Sequence, residues 1–309
     1  MHTTDSREPF HLLTARNRAV LERMFDPQHR YGRECVRAIA DGARCRLIGT
    51  TLWSGSFANK FDWASNVFFA LPRELDGDFS ITAHHILVAG ELACVRARGR
   101  ATLRNGVAYN NEYCLVYRFA HGVIVELTEY LDTALITEAF GTRGQHRAQP
   151  SLAPGVMERF PAVIPASYAS SSRATPVESA PAHLRLVQGL FEAPAGTWLD
   201  ACRSLLAPSA VCRLPGTTRF GGVYQGREAL VEQVLRPLAG ALEGGLTLIA
   251  DCVFAHDDWV VVQARGLGRT RTGRRYDNDY CLWFRVADGA VVELIAYYDT
   301  ALVTWAFGI

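Results

Sequence analysis

The sequence lacks a surplus of either charge, since 32 Lys and Arg residues face 31 Asp and Glu residues. A chain with a net charge of +1 has no general field that attracts nucleic acid or an anionic lipid surface. It also lacks an uncharged apolar run near the ~20 residues that cross a bilayer. The opening stretch, MHTTDSREPFHLL, lacks the basic region and apolar core of a secretory signal. We therefore predict a cytoplasmic protein with neither nucleic acid nor membrane as a partner.

Motifs for metals, nucleotides and redox chemistry are missing as well. No P-loop, G-x-G-x-x-G turn or H-E-x-x-H helix occurs, and no two cysteines form a C-x-x-C pair. The eight cysteines are Cys35, Cys45, Cys94, Cys114, Cys202, Cys212, Cys252 and Cys281. Those that recur in the repeat described below lie among apolar residues, where a thiol acts as a small hydrophobe. We expect reduced, buried thiols, no metal and no cofactor.

What the sequence does contain is a long internal repeat. YNNEYCLVYRF at 109–119 returns as YDNDYCLWFRV at 276–286, and an offset of 167 aligns 45–141 with 212–308 without a gap. Between positions 109 and 141, 20 of 33 residues are identical in the two copies. A repeat of this length is a whole domain rather than a solenoid unit, and 309 residues suffice for two hydrophobic cores.

The repeat divides the chain into a first domain, 1–141, and a second domain, 183–309. Between them, 142–182 is rich in Ala, Pro, Ser and Arg and has no sustained hydrophobic period, which predicts a linker. Each copy opens with two amphipathic helices, a strand and a third helix, and continues with four antiparallel strands. A short final helix follows, with Asp132 or Asp299 positioned as its N-cap. The order predicts an α+β fold.

The strand pattern Y-x-N-x-Y-C-L-x-x-R-x-x-x-G-x-x-V-E-L, followed by Y-x-D-T, resembles the nuclear transport factor 2 superfamily, and its SnoaL-like branch in particular. The resemblance covers both copies. It implies two cone-shaped domains, each a curved antiparallel sheet wrapped around about three helices, with a pocket at the open end. Members commonly dimerise through their outer sheet faces, so tandem copies imply an intrachain pseudo-dimer, which could pair again as a homodimer. The superfamily includes isomerases, cyclases, hydrolases and proteins that only bind, so the fold alone selects no activity.

Strand alternation selects the side chains that line such a pocket, because residues two apart share a face. The better candidate for the interior is the mostly apolar face of Tyr109, Asn111, Tyr113, Leu115 and Tyr117. The opposite face is mixed and could pair the domains. Asn111 and Tyr113, with Asn278 and Tyr280 in the second copy, are candidates to hold a substrate oxygen. Alternatively, they satisfy one another as framework.

The resemblance also implies which catalytic groups are missing. The two acid positions of ketosteroid isomerases align with Leu47 and Leu115, and with leucines again in the second copy. Isomerase chemistry of that type is therefore not expected. Against limonene epoxide hydrolases, Arg96 aligns with the catalytic arginine and Glu129 with the acid of the last strand, whereas an arginine replaces the remaining acid.

Glu129 is the first candidate for a catalytic acid or base. A carboxylate inside an apolar cone has its pKa raised by desolvation and lowered by a nearby arginine such as Arg96, which would poise it for proton transfer. The alternative is a partly solvated residue at a strand end, paired with Arg96 or Arg98. His84 and His85 lie on opposite faces of the preceding strand, so we expect one of them, with His84 preferred, to point inward and assist.

Aromatic residues distinguish the first copy, where Trp53, Phe57 and Trp63 are candidates to contact a ligand. They form either part of the core or a lid that stacks on a ligand.

Two functions remain open at this point. The first is a cofactor-independent enzyme of the cyclase, dehydratase (lyase) or hydrolase type, acting on a small, mostly apolar, oxygenated molecule of secondary metabolism in the first-domain pocket. The second is a binding or scaffold protein without turnover. The second copy has Ala296 at the position of Glu129, and this loss of the acid favours the second function. The first function is favoured because the first copy alone has His84, Glu129 and the aromatic residues.

Overall fold

The computed structural model describes residues 9–29, 31–140 and 180–308. The predicted linker, 142–182, lies outside the described residues except for its last three positions. The first repeat forms α1 (Phe10–Phe25), α2 (Tyr31–Ala38), β1 (Ile39–Leu47), β2 (Gly55–Phe57), α3 (Lys60–Trp63), β3 (Ser80–Ala89), β4 (Leu92–Arg100), β5 (Glu112–Ala120), β6 (Val123–Leu131) and α4 (Thr133–Phe140). The second forms α5 (Ala180–Phe191), α6 (Trp198–Leu205), β7 (Leu206–Leu214), β8 (Gly222–Gln225), α7 (Arg227–Leu230), α8 (Arg236–Ala241), β9 (Thr247–His256), β10 (Trp259–Leu267), β11 (Asn278–Ala287), β12 (Ala290–Tyr298) and α9 (Thr300–Phe307).

Each repeat gathers its strands into one six-stranded sheet. The strand orders are β2-β1-β6-β5-β4-β3 and β8-β7-β12-β11-β10-β9. The four long strands of each sheet pair antiparallel, as their alternation and turns predict. However, β1 pairs in parallel with β6, and β7 with β12, because these strands are distant in the chain and no hairpin joins them. The fold is therefore α+β with two mixed sheets.

The third helix of each repeat changes type along its length. After Trp63 the chain continues as a π-helix over Ala64–Phe68 and a 3₁₀ turn over Leu71–Arg73, where the sequence predicts one continuous helix. The second repeat has the same π-helix over Val231–Leu235. Such π-segments are common beside functional sites. Among the described residues, no helix combines the length and the apolar character needed to cross a bilayer.

Strand alternation separates a core face from an interface face in each sheet. One face packs on the helices of its own repeat and forms that domain's core. The second face of one sheet packs against the second face of the other and forms a third cluster. This cluster includes Cys94, Cys114, Val116, Tyr130, Val261, Cys281, Trp283 and Tyr297. The chain thus supplies both halves of a domain pair.

The beginnings of α4 and α9 meet at the centre of this pair. Asp132 and Asp299 each accept a hydrogen bond from the backbone N–H three residues on, so both cap their own helix. Thr300 donates its hydroxyl to Asp132 at 2.5 Å, and Thr133 donates to Asp299 at the same distance. Each helix start is therefore stabilised by a side chain of the other domain.

The glycine of the repeated C-R-L-x-G-T-T motif lies against this contact. Gly49 has a φ of +94°, and a β-carbon there would lie 2.8 Å from the methyl group of Thr133. Gly216 has a φ of +143°, and its β-carbon would lie 2.8 Å from the methyl group of Thr300. At either position a larger residue would strain the backbone and press on the threonine that begins the last helix of the same domain, which explains glycine in both copies.

Candidate functional site

Glu129 lies inside the first domain because its strand, β6, runs between β1 and β5. It pairs with Leu47 on one side and Leu115 on the other, which are the two positions that align with the isomerase acids. Its side chain shares a face with Leu127 and Leu131, both in the first core, and is 9% exposed. A single carboxyl group thus occupies an otherwise apolar strip of the sheet.

Trp63 holds one oxygen of this carboxyl group. Its indole Nε1–H donates a hydrogen bond of 2.5 Å to Glu129 Oε1. The indole is 2% exposed and packs 5.3 Å from the ring of Phe68, so its position is well supported. Among the described residues, no donor forms a hydrogen bond with Oε2.

Burial raises the pKa of Glu129 from 4.5 to about 7, and the hydrogen bond from Trp63 lowers it only in part. The cause is the interior itself, where little water reaches the carboxylate and the charged form is disfavoured. A carboxyl group that titrates near neutrality can both take up and release a proton at cellular pH. General acid and base catalysis needs a group of this kind.

Two tyrosines and a cysteine surround the carboxyl group. Burial raises the pKa of Tyr31 and Tyr117, and the negative charge of Glu129 contributes in the same direction. It also contributes to the rise for Cys35, whose pKa burial brings to about 12. The hydroxyl of Tyr117 is buried without a hydrogen bond of normal geometry, although Tyr31 lies beside it. Such a hydroxyl is costly to bury unpaired, so it is a candidate donor to a substrate oxygen.

Asn111 and Asn278 hold the framework rather than a ligand. The Asn111 side chain accepts from the backbone N–H of Asp132 at 2.9 Å, and it donates to the Asp132 carbonyl and to the Tyr109 hydroxyl, both at 3.2 Å. Asn278 makes the same three bonds at the equivalent positions. Because both amide N–H groups and the oxygen are in use, the geometry does not support the predicted role of these asparagines as substrate donors.

The remaining predicted contacts lie in or near the two interiors. Tyr113 and Tyr280 are core residues, and the Tyr280 hydroxyl forms a hydrogen bond of 3.1 Å with that of Tyr276. Trp53 and Phe57 are half-buried against the first core, with the Trp53 ring 4.4 Å from that of Phe140. Core packing is therefore visible for all four, and contact with a ligand stays a prediction.

Arg96 does not join Glu129. Its side chain extends from the interface face of β4, where the guanidinium lies 5.7 Å from the ring of Trp283 and Nε donates to the Tyr297 hydroxyl at 3.4 Å. Gln263, its counterpart, donates to the equivalent tyrosine of the first domain at 3.1 Å. The predicted pairing of Arg96 with Glu129 is therefore contradicted, because the two side chains lie on opposite faces of one sheet.

His84 does not point inward either. The register of β3 shifts between Ala83 and His85, and the extra residue of this bulge is His84, whose side chain is exposed. His85 lies in the domain interface, its ring 4.8 Å from Trp283 and 5.1 Å from Trp259. The expected inward histidine is thus absent from this strand, because the bulge breaks the strict alternation on which the expectation depended.

In the second domain, an apolar cavity replaces the carboxyl group and its indole partner. Ala296 is the counterpart of Glu129, and Leu230 is the counterpart of Trp63. Both line a cavity of about 110 Å³. Its wall also includes Trp198, Cys202, Leu214, Phe220, Leu246, Tyr280, Leu282, Phe284 and Tyr298. No carboxylate is among the residues that line it.

The signal for this exchange is present in the sequence, but in two separate places. Trp63 against Leu230 and Glu129 against Ala296 are ordinary differences between the copies, and each pair of positions is 66 residues apart. The hydrogen bond in the first domain and the shared cavity in the second reveal that they form one coupled exchange. A comparison of the strands of the two copies does not identify Trp63 as the partner of Glu129, because Trp63 lies on a helix.

These features define the class of protein: two fused α+β domains, each with a helix-covered sheet around an interior site. Residues 187–294 match the family model of the SnoaL-like domain. The first domain has the same strand order and repeats much of the same sequence between 109 and 141. The second domain therefore matches the SnoaL-like domain, and the first domain is its duplicate in strand order and, over 109–141, in much of its sequence.

Solved structures similar to this chain each cover about one of its domains. An NTF2-like protein of Burkholderia pseudomallei K96243 is 18% identical over 41% of this chain and 98% of its own, with a TM-score of 0.37. Bal32a, from a soil-derived mobile gene cassette, is 25% identical over 42% of this chain and 97% of its own, with a TM-score of 0.36. A loop-truncation variant of IdmH is 25% identical over 41% and 99%, with a TM-score of 0.33. No curated protein matches the sequence.

Proposed function

We propose that the first domain is a SnoaL-like enzyme that uses Glu129 as a general acid or base, without a cofactor in the reaction. The observation that carries this proposal is the pKa of about 7 for a carboxyl group buried among aromatic and aliphatic side chains. A buried acid is destabilising when charged, so a structural role alone gives no reason to retain it. Proton transfer near neutral pH gives such a reason, because it needs a carboxyl group with a raised pKa.

The residues around Glu129 divide the work of such a reaction. Trp63 holds Oε1 and so orients the carboxyl group, which makes it a positioning residue. Oε2 then takes or gives the proton, and the Tyr117 hydroxyl is placed to donate to a carbonyl or hydroxyl oxygen of the substrate. The apolar surroundings favour a small, mostly apolar, oxygenated metabolite of the kind made in secondary metabolism. Cyclisation, elimination and hydrolysis of such compounds share this proton transfer.

The test measures proton transfer without knowledge of the natural substrate. In deuterated buffer, a general base exchanges the α-hydrogens of a bound ketone for deuterium, which NMR follows as loss of signal. With a panel of single-ring cyclic ketones, we expect the protein to accelerate exchange of at least one, with a rate that rises with pH and levels off above about 7. Glu129→Gln should lower that rate by ~10²-fold or more.

Glu126→Gln is the matched control on the same strand. Glu126 lies on the other face in ion pairs with Arg44 and Arg118, so its replacement should leave the exchange rate unchanged. Equal rates for the wild-type protein and Glu129→Gln across ketones and hydroxyketones would argue for binding without turnover and against this proposal.

A second candidate function, small-molecule binding by the second domain, is favoured by the cavity. Its ~110 Å³ is smaller than the ~300–1,000 Å³ of common ligand pockets, so the occupant would be about the size of a single ring. The Tyr298 hydroxyl is buried beside Thr218 without a hydrogen bond of normal geometry, which suits a ligand with one oxygen. Calorimetry with single-ring phenols and ketones tests this candidate. Binding should be lost in Ala296→Leu and kept in Glu129→Gln.

A further inference from the structure

The domain interface contains three cysteines from three different strands. Cys94 of β4, Cys114 of β5 and Cys281 of β11 are each 0% exposed. Their Sγ atoms are separated by 3.4 Å (Cys94 to Cys114), 3.3 Å (Cys114 to Cys281) and 4.0 Å (Cys94 to Cys281). Cys114 and Cys281 are counterparts in the repeat, so they meet where the two sheets cross the axis that relates the domains.

We propose that Cys94, Cys114 and Cys281 form a binding site for a soft, thiophilic metal ion, Zn²⁺ or Cu⁺, which joins the two domains. The point equidistant from the three sulfurs lies about 2.1 Å from each, close to the ~2.3 Å of a Zn–S bond. An ion slightly out of the sulfur plane would bind all three with shifts of a few tenths of an ångström. Thiolates are the ligands that these ions prefer over harder cations.

The surroundings favour negative sulfur at this place. The indole Nε1–H of Trp283 donates to Cys114 Sγ at 3.3 Å, and the guanidinium of Arg96 lies against the same indole. The indole N–H and the guanidinium charge both stabilise a thiolate at Cys114, the first by a hydrogen bond and the second by Coulomb attraction. A thiol must lose its proton to bind a metal ion, so these groups assist binding.

Other buried cysteines of the chain lack this environment. Cys45 is also 0% exposed, but its thiol contacts the backbone carbonyl of Ala43 at 3.9 Å, and among the described residues only Cys94, Cys114 and Cys281 bring three sulfurs together. Three thiolates with Zn²⁺ carry one net negative charge, which Arg96 balances; with Cu⁺ the net charge is more negative by one. Spacing along the chain does not indicate the site, because its ligands are 20 and 167 residues apart and converge only when the sheets pack.

The experiment measures metal content and its dependence on each thiol. The full-length protein is produced in two sets of cultures, one supplemented with Zn²⁺ and one with copper under conditions that generate Cu⁺. It is purified under reducing conditions, and the bound metal is quantified by mass spectrometry. A second arm unfolds the metal-free protein and refolds it with Zn²⁺ or Cu⁺, since the site is closed in the folded chain. We expect one ion per chain and a thiolate-to-metal charge-transfer band, and the two arms show which ion is bound.

Three variants distinguish the site from the other thiols. Cys114→Ala should lower the affinity by more than the ~10–100-fold typical of losing an outer partner, because a ligand itself is removed. Cys94→Val introduces the residue that the second domain has at this position, Val261, so it should fold and still lose the ion. Cys45→Ala is the matched control and should retain it. No metal above background, equal content in Cys94→Val and Cys45→Ala, or a Cys114–Cys281 disulfide in the purified protein would each overturn the proposal.

Discussion

Replacing Glu129 with Gln tests whether the interior keeps this carboxyl group neutral. In the folded protein its pKa is about 7, against 4.5 for an ordinary glutamate. Between these values the unfolded chain releases its proton while the folded chain retains it, so the wild-type protein loses stability as pH rises through this window. The difference amounts to about 3 kcal/mol, at ~1.4 kcal/mol for each pKa unit. Gln is neutral at every pH and still accepts the hydrogen bond from Trp63, so the variant does not lose this stability.

Urea unfolding followed by circular dichroism provides the measurement. Near pH 4.5 the free energies of unfolding of the wild-type protein and of Glu129→Gln should agree, and near pH 8 the variant should be more stable by about 3 kcal/mol. Glu126→Gln, which removes a surface ion pair of the same strand, should show no gain of stability as pH rises. If the stability curves of Glu129→Gln and the wild-type protein remain parallel from pH 4.5 to about 8, Glu129 does not titrate near neutrality and the reasoning is refuted.

Further predictions concern the indole partner and the contact between the domains. Trp63→Phe removes the donor that favours the carboxylate, so ¹³C NMR of the glutamate carboxyl groups should show the pKa of Glu129 above about 7. Thr300→Val removes a hydrogen bond to the helix cap of the other domain, and thermal unfolding should show a loss of about 1–3 kcal/mol. Gly49→Ala should lower the melting temperature more than Gly106→Ala. Both glycines have positive φ, but only Gly49 lies against another domain, so equal effects would show that backbone strain alone matters.

The arrangement of the domains could be predicted from the sequence because two regular signals agree. The gapless offset of 167 between copies predicts two domains of one fold, which the two sheets of equal strand order confirm. The period of two along β5 predicts that Tyr113 and Leu115 lie inside while Cys114 and Val116 lie on the opposite face, and the clusters confirm this. Where a strand is regular, the face of each side chain follows from its neighbours.

The site was less predictable, because its geometry depends on irregular or distant features. The bulge at His84 changes the face of the residues around it, and nothing in SITAHHILVA announces where the extra residue falls. The family pattern predicts Arg96 beside Glu129. The alternation of β4 instead places Arg96 on the interface face, because Val95, the residue before it, points into the core. The bond between Trp63 and Glu129 depends on how α3 docks on the sheet, which single-strand patterns do not describe.

Fusion of the two domains in one chain permits their interiors to differ. In a homodimer both interiors carry the same residues, whereas here Glu129 and Trp63 correspond to Ala296 and Leu230. The exchange leaves a cavity whose ~110 Å³ costs roughly 2–3 kcal/mol of stability, at ~24 cal/mol for each Å³. The shared interface, with its reciprocal helix caps, offsets that loss for the chain as a whole. A cavity of this size, walled by apolar side chains and the Tyr298 hydroxyl, supports the small-molecule binding proposed above for the second domain.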